Sequence, residues 1–352
     1  MTGMTDPGRF FEDFRLGERI RHAVPRTLTT GDAALYLGLT GSRFVLHCAD
    51  SVARALGYRQ APIDDVLVFH IVFGRTVPDI SLNAIANLGY AEGRFGVPVY
   101  PGDTLATESE VIGLKETSSR DTGIVYVRST GTNQDGATVL DYVRWVLVRK
   151  RDRNVAAPDP VVPKLAAFVD PASLIVPACV DAARWNGALA GTSKLWDDYQ
   201  PGMRIDHVDG MTIEESCHMT AARLYQNNAR VHFNQHVEAQ GRFGKRIVYG
   251  GHIISLARAL SANGLAAGFR VAAINGGRHT NPSFAGDTIY GWSEILTRAE
   301  LPGRRDVGAL RLRTVACKNR AAGDFPDKTE AGETDPSVVL DLDYWVLAPR
   351  RF

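Results

Sequence analysis

"FFEDFRLGERIRHAVPRTLT", Phe10 to Thr29, is written a second time as "LWDDYQPGMRIDHVDGMTIE", Leu195 to Glu214. Asp13 falls on Asp198, Gly17 on Gly202, Ile20 on Ile205, His22 on His207 and Thr27 on Thr212, all at an offset of 185 residues. His47 falls on His232 at the same offset, with no gap opened. Further along, "GRFGVPVYPGDTLATESEV" (Gly93 to Val111) matches "GRHTNPSFAGDTIYGWSEI" (Gly277 to Ile295), and "VLDYVRWVLVRKR" matches "VLDLDYWVLAPRR". Both copies therefore close on a Trp, Trp145 and Trp345. A repeat of this kind means one structural unit built twice.

Within each copy, "TLATESEVIGL", "GIVYVRSTGTNQ" and "VLDYVRWVLVRK", and their counterparts "TIYGWSEILT", "VGALRLRTVA" and "SVVLDLDYWVLA", alternate apolar and polar residues. This period of two predicts antiparallel strands. Ahead of them runs one apolar helix, expected from Asp64 to about Phe73 in copy one and from Gly251 to about Ala266 in copy two. The expected fold is α+β, two units in tandem, each an antiparallel sheet curled round its helix and packed on the other as an internal pseudo-dimer. The expected division is residues 1–150, a connector over 151–184 that holds Pro158, Pro160, Pro163, Pro171 and Pro177, and residues 185–352.

Composition narrows the function classes. The chain has 352 residues, long enough for two cores, and its 45% apolar and 22% charged content is that of a folded globular protein. With 40 Lys and Arg against 39 Asp and Glu, no overall field draws it to nucleic acid or an anionic membrane. "MTGMTDPGRFFEDF" lacks a basic region followed by an apolar one, and the most apolar windows are short or interrupted by Arg258 and Arg270. The expectation is a cytoplasmic chain with no secretory signal and no membrane span. Cys48, Cys179, Cys217 and Cys317 are far apart, which suits reduced thiols and offers no zinc spacing. There is no G-x-G-x-x-G after a strand and no P-loop Lys, so no nucleotide cofactor is expected, and with that cysteine spacing no metal.

One segment of copy two concentrates chemistry. In "ARLYQNNARVHFNQHVEAQGRFGKRIVYGGHIISLARAL", Ala222 to Leu260, Asn227 stands five positions before His232, and both precede Gly250-Gly251 at the start of the helix. This order resembles the MaoC-like hydratases of the hotdog superfamily, in which an Asp stands five positions before a His and an "I-V-H-G" turn enters the central helix. Here the turn reads "IVYGG", and the family's strand entry appears as "YPGDTL" (Tyr100 to Leu105) and "FAGDTI" (Phe284 to Ile289). More narrowly, "PIDDVLVFHIVFG", "LYQNNARVHFN" and "INGGRHTNPSFAGDTIY" in tandem arrangement resemble the mesaconyl-CoA hydratase family. The resemblance implies a double hotdog and reversible water addition to mesaconyl-CoA, giving erythro-β-methylmalyl-CoA, in the ethylmalonyl-CoA or a related carbon-assimilation route. An acyl-CoA is then the partner, and a homo-oligomer is expected.

Adding water across a double bond conjugated to a thioester needs a base for the water, an acid for the α-carbon and donors for the enolate oxygen. His232 is the natural proton carrier. Gly250 and Gly251 would offer backbone N–H groups at the positive end of a helix. Asn227 stands where the family has Asp; an amide cannot act as a base but can orient a water, and Glu214 is a possible compensating carboxylate. Tyr249, His252 and His279 are further pocket candidates. For the substrate's free carboxylate the expected partner is Arg230, with Arg278 second, because a guanidinium holds both oxygens at once. Copy one keeps Ser42 and His47 at the motif spacing but starts its helix with "PIDD", where Asp64 as a capping carboxylate would repel an enolate. Two other readings stay open on sequence: a thioesterase, which would attack the thioester carbonyl, and a non-catalytic acyl-CoA-binding protein.

Overall fold

The structure, a computed structural model, describes residues 5–351. The first four residues of the stretch read for a leader lie outside that range. Copy one carries strands β1 (Arg19–Arg21), β2 (Arg26–Thr27), β3 (Ala84–Phe95), β4 (Thr104–Glu116), β5 (Thr122–Thr132) and β6 (Thr138–Arg149). Copy two repeats them as β7 (Arg204–Asp206), β8 (Met211–Thr212), β9 (Arg270–His279), β10 (Thr288–Glu300), β11 (Val307–Lys318) and β12 (Val338–Pro349). Every pairing is antiparallel, and the strands run β1-β4-β5-β6-β3 and then β9-β12-β11-β10-β7 as one continuous sheet, with β2 on β4 and β8 on β10. The second half of that order mirrors the first. The sheets of the two copies are joined where β3 meets β9, with Tyr90 opposite Gly277 and Arg94 opposite Ala273.

The alternation in the sequence becomes two faces. Along β5 every second residue is buried, from Gly123 through Val125, Val127 and Ser129 to Gly131. Each half-sheet wraps its own helix, Asp65–Thr76 in copy one and Gly250–Leu260 in copy two. This is the double hotdog the resemblance implies. The first helix is buried along its whole length, so its periodicity is an apolar run rather than a stripe. The second stops at Leu260, short of the expected end near Ala266, because Asn263 and Gly264 leave helical geometry and Gly264 sits at φ 100°. The connector runs from Arg149 to copy two with short helical turns and a β-bridge of Val161 to Leu114, and is tied down by Val169, whose carbonyl accepts from Trp345 Nε1 at 3.1 Å. Among the described residues no helix is long and apolar enough to cross a membrane.

The repeated histidines at the starts of the copies are structural. His22 Nε2 lies 2.8 Å from Ser109 Oγ, which meets Ser129 Oγ at 2.7 Å. His207 repeats this with Ser293 at 2.8 Å and Thr314 at 2.7 Å beyond it. Buried hydroxyls satisfied in the same way twice are what a duplicated core requires.

The two helices share one core. Phe69, Phe73, Tyr90 and Tyr142 of copy one pack in the same cluster as Tyr225, Tyr249 and Ile253 of copy two. At the axis, His70 Nε2 lies 2.7 Å from Ser255 Oγ, and these two residues occupy equivalent positions of the repeat. Close approach continues at Gly74, where an added Cβ would stand 1.9 Å from the carbonyl oxygen of Tyr225, two residues before Asn227. Gly74→Ala is expected to lower unfolding stability by about 1–3 kcal/mol, the usual range for overpacking a tight interior. Chemical denaturation of the variant against the parent chain measures it.

Candidate active site

A cavity of about 250 Å³ lies at the seam between the copies. Copy two supplies Asn227, His232, Tyr249, Gly250 and His279, and copy one supplies the facing wall with Phe73, Asn87, Tyr90 and Arg144. Among the described residues the wall contains no Asp, Glu or Lys, so the guanidinium of Arg144 is its one permanent charge.

His232 sits in a single helical turn, Arg230–Phe233, and its Nδ1 lies 3.0 Å from the carbonyl oxygen of Ile247. A carbonyl can only accept, so Nδ1 carries the proton and Nε2 keeps its lone pair. Burial pushes the imidazole pKa down to about 4; the Ile247 carbonyl opposes this and nearby His218 adds to it. His232 is therefore neutral near pH 7, in the form a general base needs. Asn227 is only 2% exposed, and its Oδ1 accepts from the Ala229 amide at 3.2 Å, a local turn that swings the chain towards His232.

Gly250 opens the second helix. Its N-cap, Tyr249, provides no side-chain acceptor, and among the described residues neither the Gly250 nor the Gly251 amide has one. An added Cβ at Gly250 would lie 2.6 Å from His279 Nδ1, so only glycine lets that ring approach the helix start. Gly251 departs from expectation. A Cβ there would stand 2.4 Å from the Tyr249 ring, and the residue is buried behind that ring rather than on the cavity wall. His279 completes the wall: Nε2 lies 3.3 Å from Tyr90 Oη, Nδ1 is buried without a partner, and burial followed by the proximity of His232 lowers its pKa to about 4.

Other expectations need correction. His252 is 1% exposed and points into the core, its Nδ1 3.3 Å from Tyr225 Oη, because it lies on the helix face turned away from the cavity. Arg278 precedes His279 on β9, so strand alternation sends it to the opposite face, where it is exposed and pairs with Asp341 at 3.3 Å. Arg230 begins the turn in which Val231 and His232 line the cavity; it is itself exposed, and its Nη1 donates to Asn83 Oδ1 at 3.3 Å without lining the cavity. Glu214 is the exposed residue preceding the helix Glu215–Leu224 and does not reach the cavity.

Copy one shows what the same frame does without glycine. His47 Nδ1 lies 3.1 Å from the Pro62 carbonyl, the repeat equivalent of Ile247. Asp64 caps Val66 N at 2.8 Å, the equivalent of the Gly251 amide that is left open in copy two. Asp65, at the Gly250 position, pairs with Arg270 at 3.3 Å and accepts from Val271 N at 3.1 Å. The anion position at this helix start is already held by the chain's own carboxylates, and Ser42, at the Asn227 position, keeps a buried hydroxyl with no partner.

Sequence reading missed the copy-one wall. Arg144 had a signal: it stands in phase with Tyr142, Val146 and Val148 on the buried face of β6, where a charge interrupts an apolar stripe. Its repeat equivalent is Tyr344.

The chain matches the mesaconyl-CoA hydratase family over residues 2–330. It belongs to that family. It is 64% identical over 351 residues to the β-methylmalyl-CoA dehydratase of Chloroflexus aurantiacus, covering 100% of both chains. It is 55% identical over 348 residues to the mesaconyl-CoA hydratase of Cereibacter sphaeroides, covering 98% of this chain and 99% of that one. A crystal structure of a MaoC domain protein from Chloroflexus aurantiacus superposes with a TM-score of 0.97 at 64% identity, covering 100% of both chains.

If copy two alone works, His232→Ala loses about 10²–10⁴-fold in turnover, the usual weight of a general acid–base group, while His47→Ala stays within a few-fold of the parent. Steady-state rates on folded variants decide it, and comparable losses in both would mean two working sites.

Proposed function

We propose that this chain is a hydro-lyase that adds water reversibly to mesaconyl-CoA (2-methylfumaryl-CoA) and forms erythro-β-methylmalyl-CoA. The observation that carries this reading is the pairing, on one cavity wall, of a neutral imidazole with a free Nε2 and a helix start whose amides lack acceptors. The family membership and the names of both relatives support it.

In this mechanism the thioester oxygen lies at the Gly250 amide, where the helix dipole favours the charge that develops as the enolate forms. His232 Nε2 takes a proton from water as the hydroxyl joins the β-carbon, and the imidazolium returns a proton to the α-carbon. One O–H bond breaks, one C–O and one C–H bond form, and the double-bond pair ends in the C–H bond. Asn227 holds the water through its amide nitrogen, while its oxygen accepts from the Ala229 amide. Tyr249 and His279 shape the wall, and no cofactor or metal enters any step.

A thioesterase of this fold that attacks with its own carboxylate is disfavoured, since no Asp or Glu lines this cavity among the described residues. The proposal extends to a cytoplasmic homo-oligomer serving the ethylmalonyl-CoA or a related carbon-assimilation route. It also takes residues 1–150 and 185–352 as the two hotdog domains and 151–184 as their connector.

Incubation with mesaconyl-CoA is expected to bleach enoyl-thioester absorbance without releasing free thiol. Thiol release would mean a thioesterase, and no change in either signal would mean a binding protein.

A further inference from the structure

Arg144 has no exposed surface and no carboxylate partner among the described residues, although it carries a full charge in the interior. Such a group is costly unless its donors are used. Nη2 is used: it donates to Thr76 Oγ1 at 2.7 Å and to Ser81 Oγ at 3.3 Å. Nε and Nη1 are buried without an acceptor in good geometry, with the Tyr142 hydroxyl, itself unpartnered, close by. The guanidinium is held over the Phe73 ring, 4.3 Å from its centroid, so its plane is set by stacking and by two hydroxyls on one side. Two donors, on different edges of the guanidinium, are thereby left open in a fixed orientation.

The wall leads from that guanidinium to the chemistry. Arg144 lies opposite Tyr90 in the β3–β6 register, Tyr90 Oη meets His279 Nε2, and the His279 ring lies against Gly250. Beside it, both polar atoms of the Asn87 side chain are buried and unpartnered. At the equivalent position of copy two, Tyr344 offers a phenol that is already satisfied by Thr314 Oγ1 at 3.0 Å. The unpaired charge thus belongs to the cavity that also holds His232.

We propose that Arg144 of copy one anchors the free carboxylate of the substrate, through one of its open N–H donors, while copy two performs the hydration. This rests on the function proposed above, because that carboxylate is carried by the very carbon that receives the hydroxyl. With the thioester oxygen at Gly250 and the carboxylate at Arg144, the double bond is fixed at both ends, and the negative charge beside the attacked carbon is neutralised. Arg144 replaces Arg230 and Arg278 in this role: both are exposed and neither lines the cavity, and Arg278 is paired with Asp341.

Succinyl-CoA and butyryl-CoA test the anchor without turnover, since they differ only by a carboxylate in place of the terminal methyl. Arg144→Met is expected to weaken succinyl-CoA binding by about 100-fold, as truncating one partner of a buried charged pair does, and to leave butyryl-CoA within about threefold. Equal losses for both ligands, or none, would overturn the proposal, and a selective loss in Arg230→Met instead would move the anchor there. A crystal structure of the unaltered chain with succinyl-CoA reads the same point if the variant fails to fold. The carboxylate at hydrogen-bond distance from Arg144 supports the assignment, and a carboxylate elsewhere contradicts it. Hydration of mesaconyl-CoA by the unaltered chain is measured alongside; its absence would count against the function and not against the anchor.

Discussion

Backbone pairing of β3 with β9 is the contact on which the rest depends. It joins two half-sheets into one, brings the two central helices into a common core, and leaves a cavity between strands of one copy and the helix start of the other. Neither copy alone could supply both the buried guanidinium and the neutral imidazole. The seam is closely fitted: Gly74 admits the Tyr225 carbonyl, and His70 and Ser255 meet across the axis from equivalent positions.

Duplication gives two helix starts, and electrostatics lets only one of them serve as an anion site. A set of unpaired amides at the positive end of a helix is satisfied by whichever anion arrives first. In copy one that anion is built in, because Asp64 caps the first turn and Asp65 pairs with Arg270. In copy two the same positions are Tyr249 and Gly250, which add no charge and leave the amides open. His47 and His232 make the same hydrogen bond to the same equivalent carbonyl, so the difference between the copies lies in the helix start and not in the histidine.

The architecture was legible in the sequence because a repeat at an offset of 185 residues and alternation along the strands are properties of the chain itself. His232, Asn227 and Gly250 were legible for a related reason: they lie in one segment with a fixed spacing. His252 and Arg278 were misplaced because spacing does not say which face of a helix or strand a residue occupies. Position beside His279 on a strand sends Arg278 away from it. Arg144 was missed because it comes from the other copy, and only the β3–β9 seam brings it to the site. The second helix ended early for a local reason, the backbone of Asn263 and Gly264, which composition alone does not reveal.

The central claim is that two copies of one fold make a single working cavity. Calorimetric titration of the intact chain with succinyl-CoA tests it most directly. The account predicts one molecule bound per chain, and two equivalent molecules per chain would contradict it.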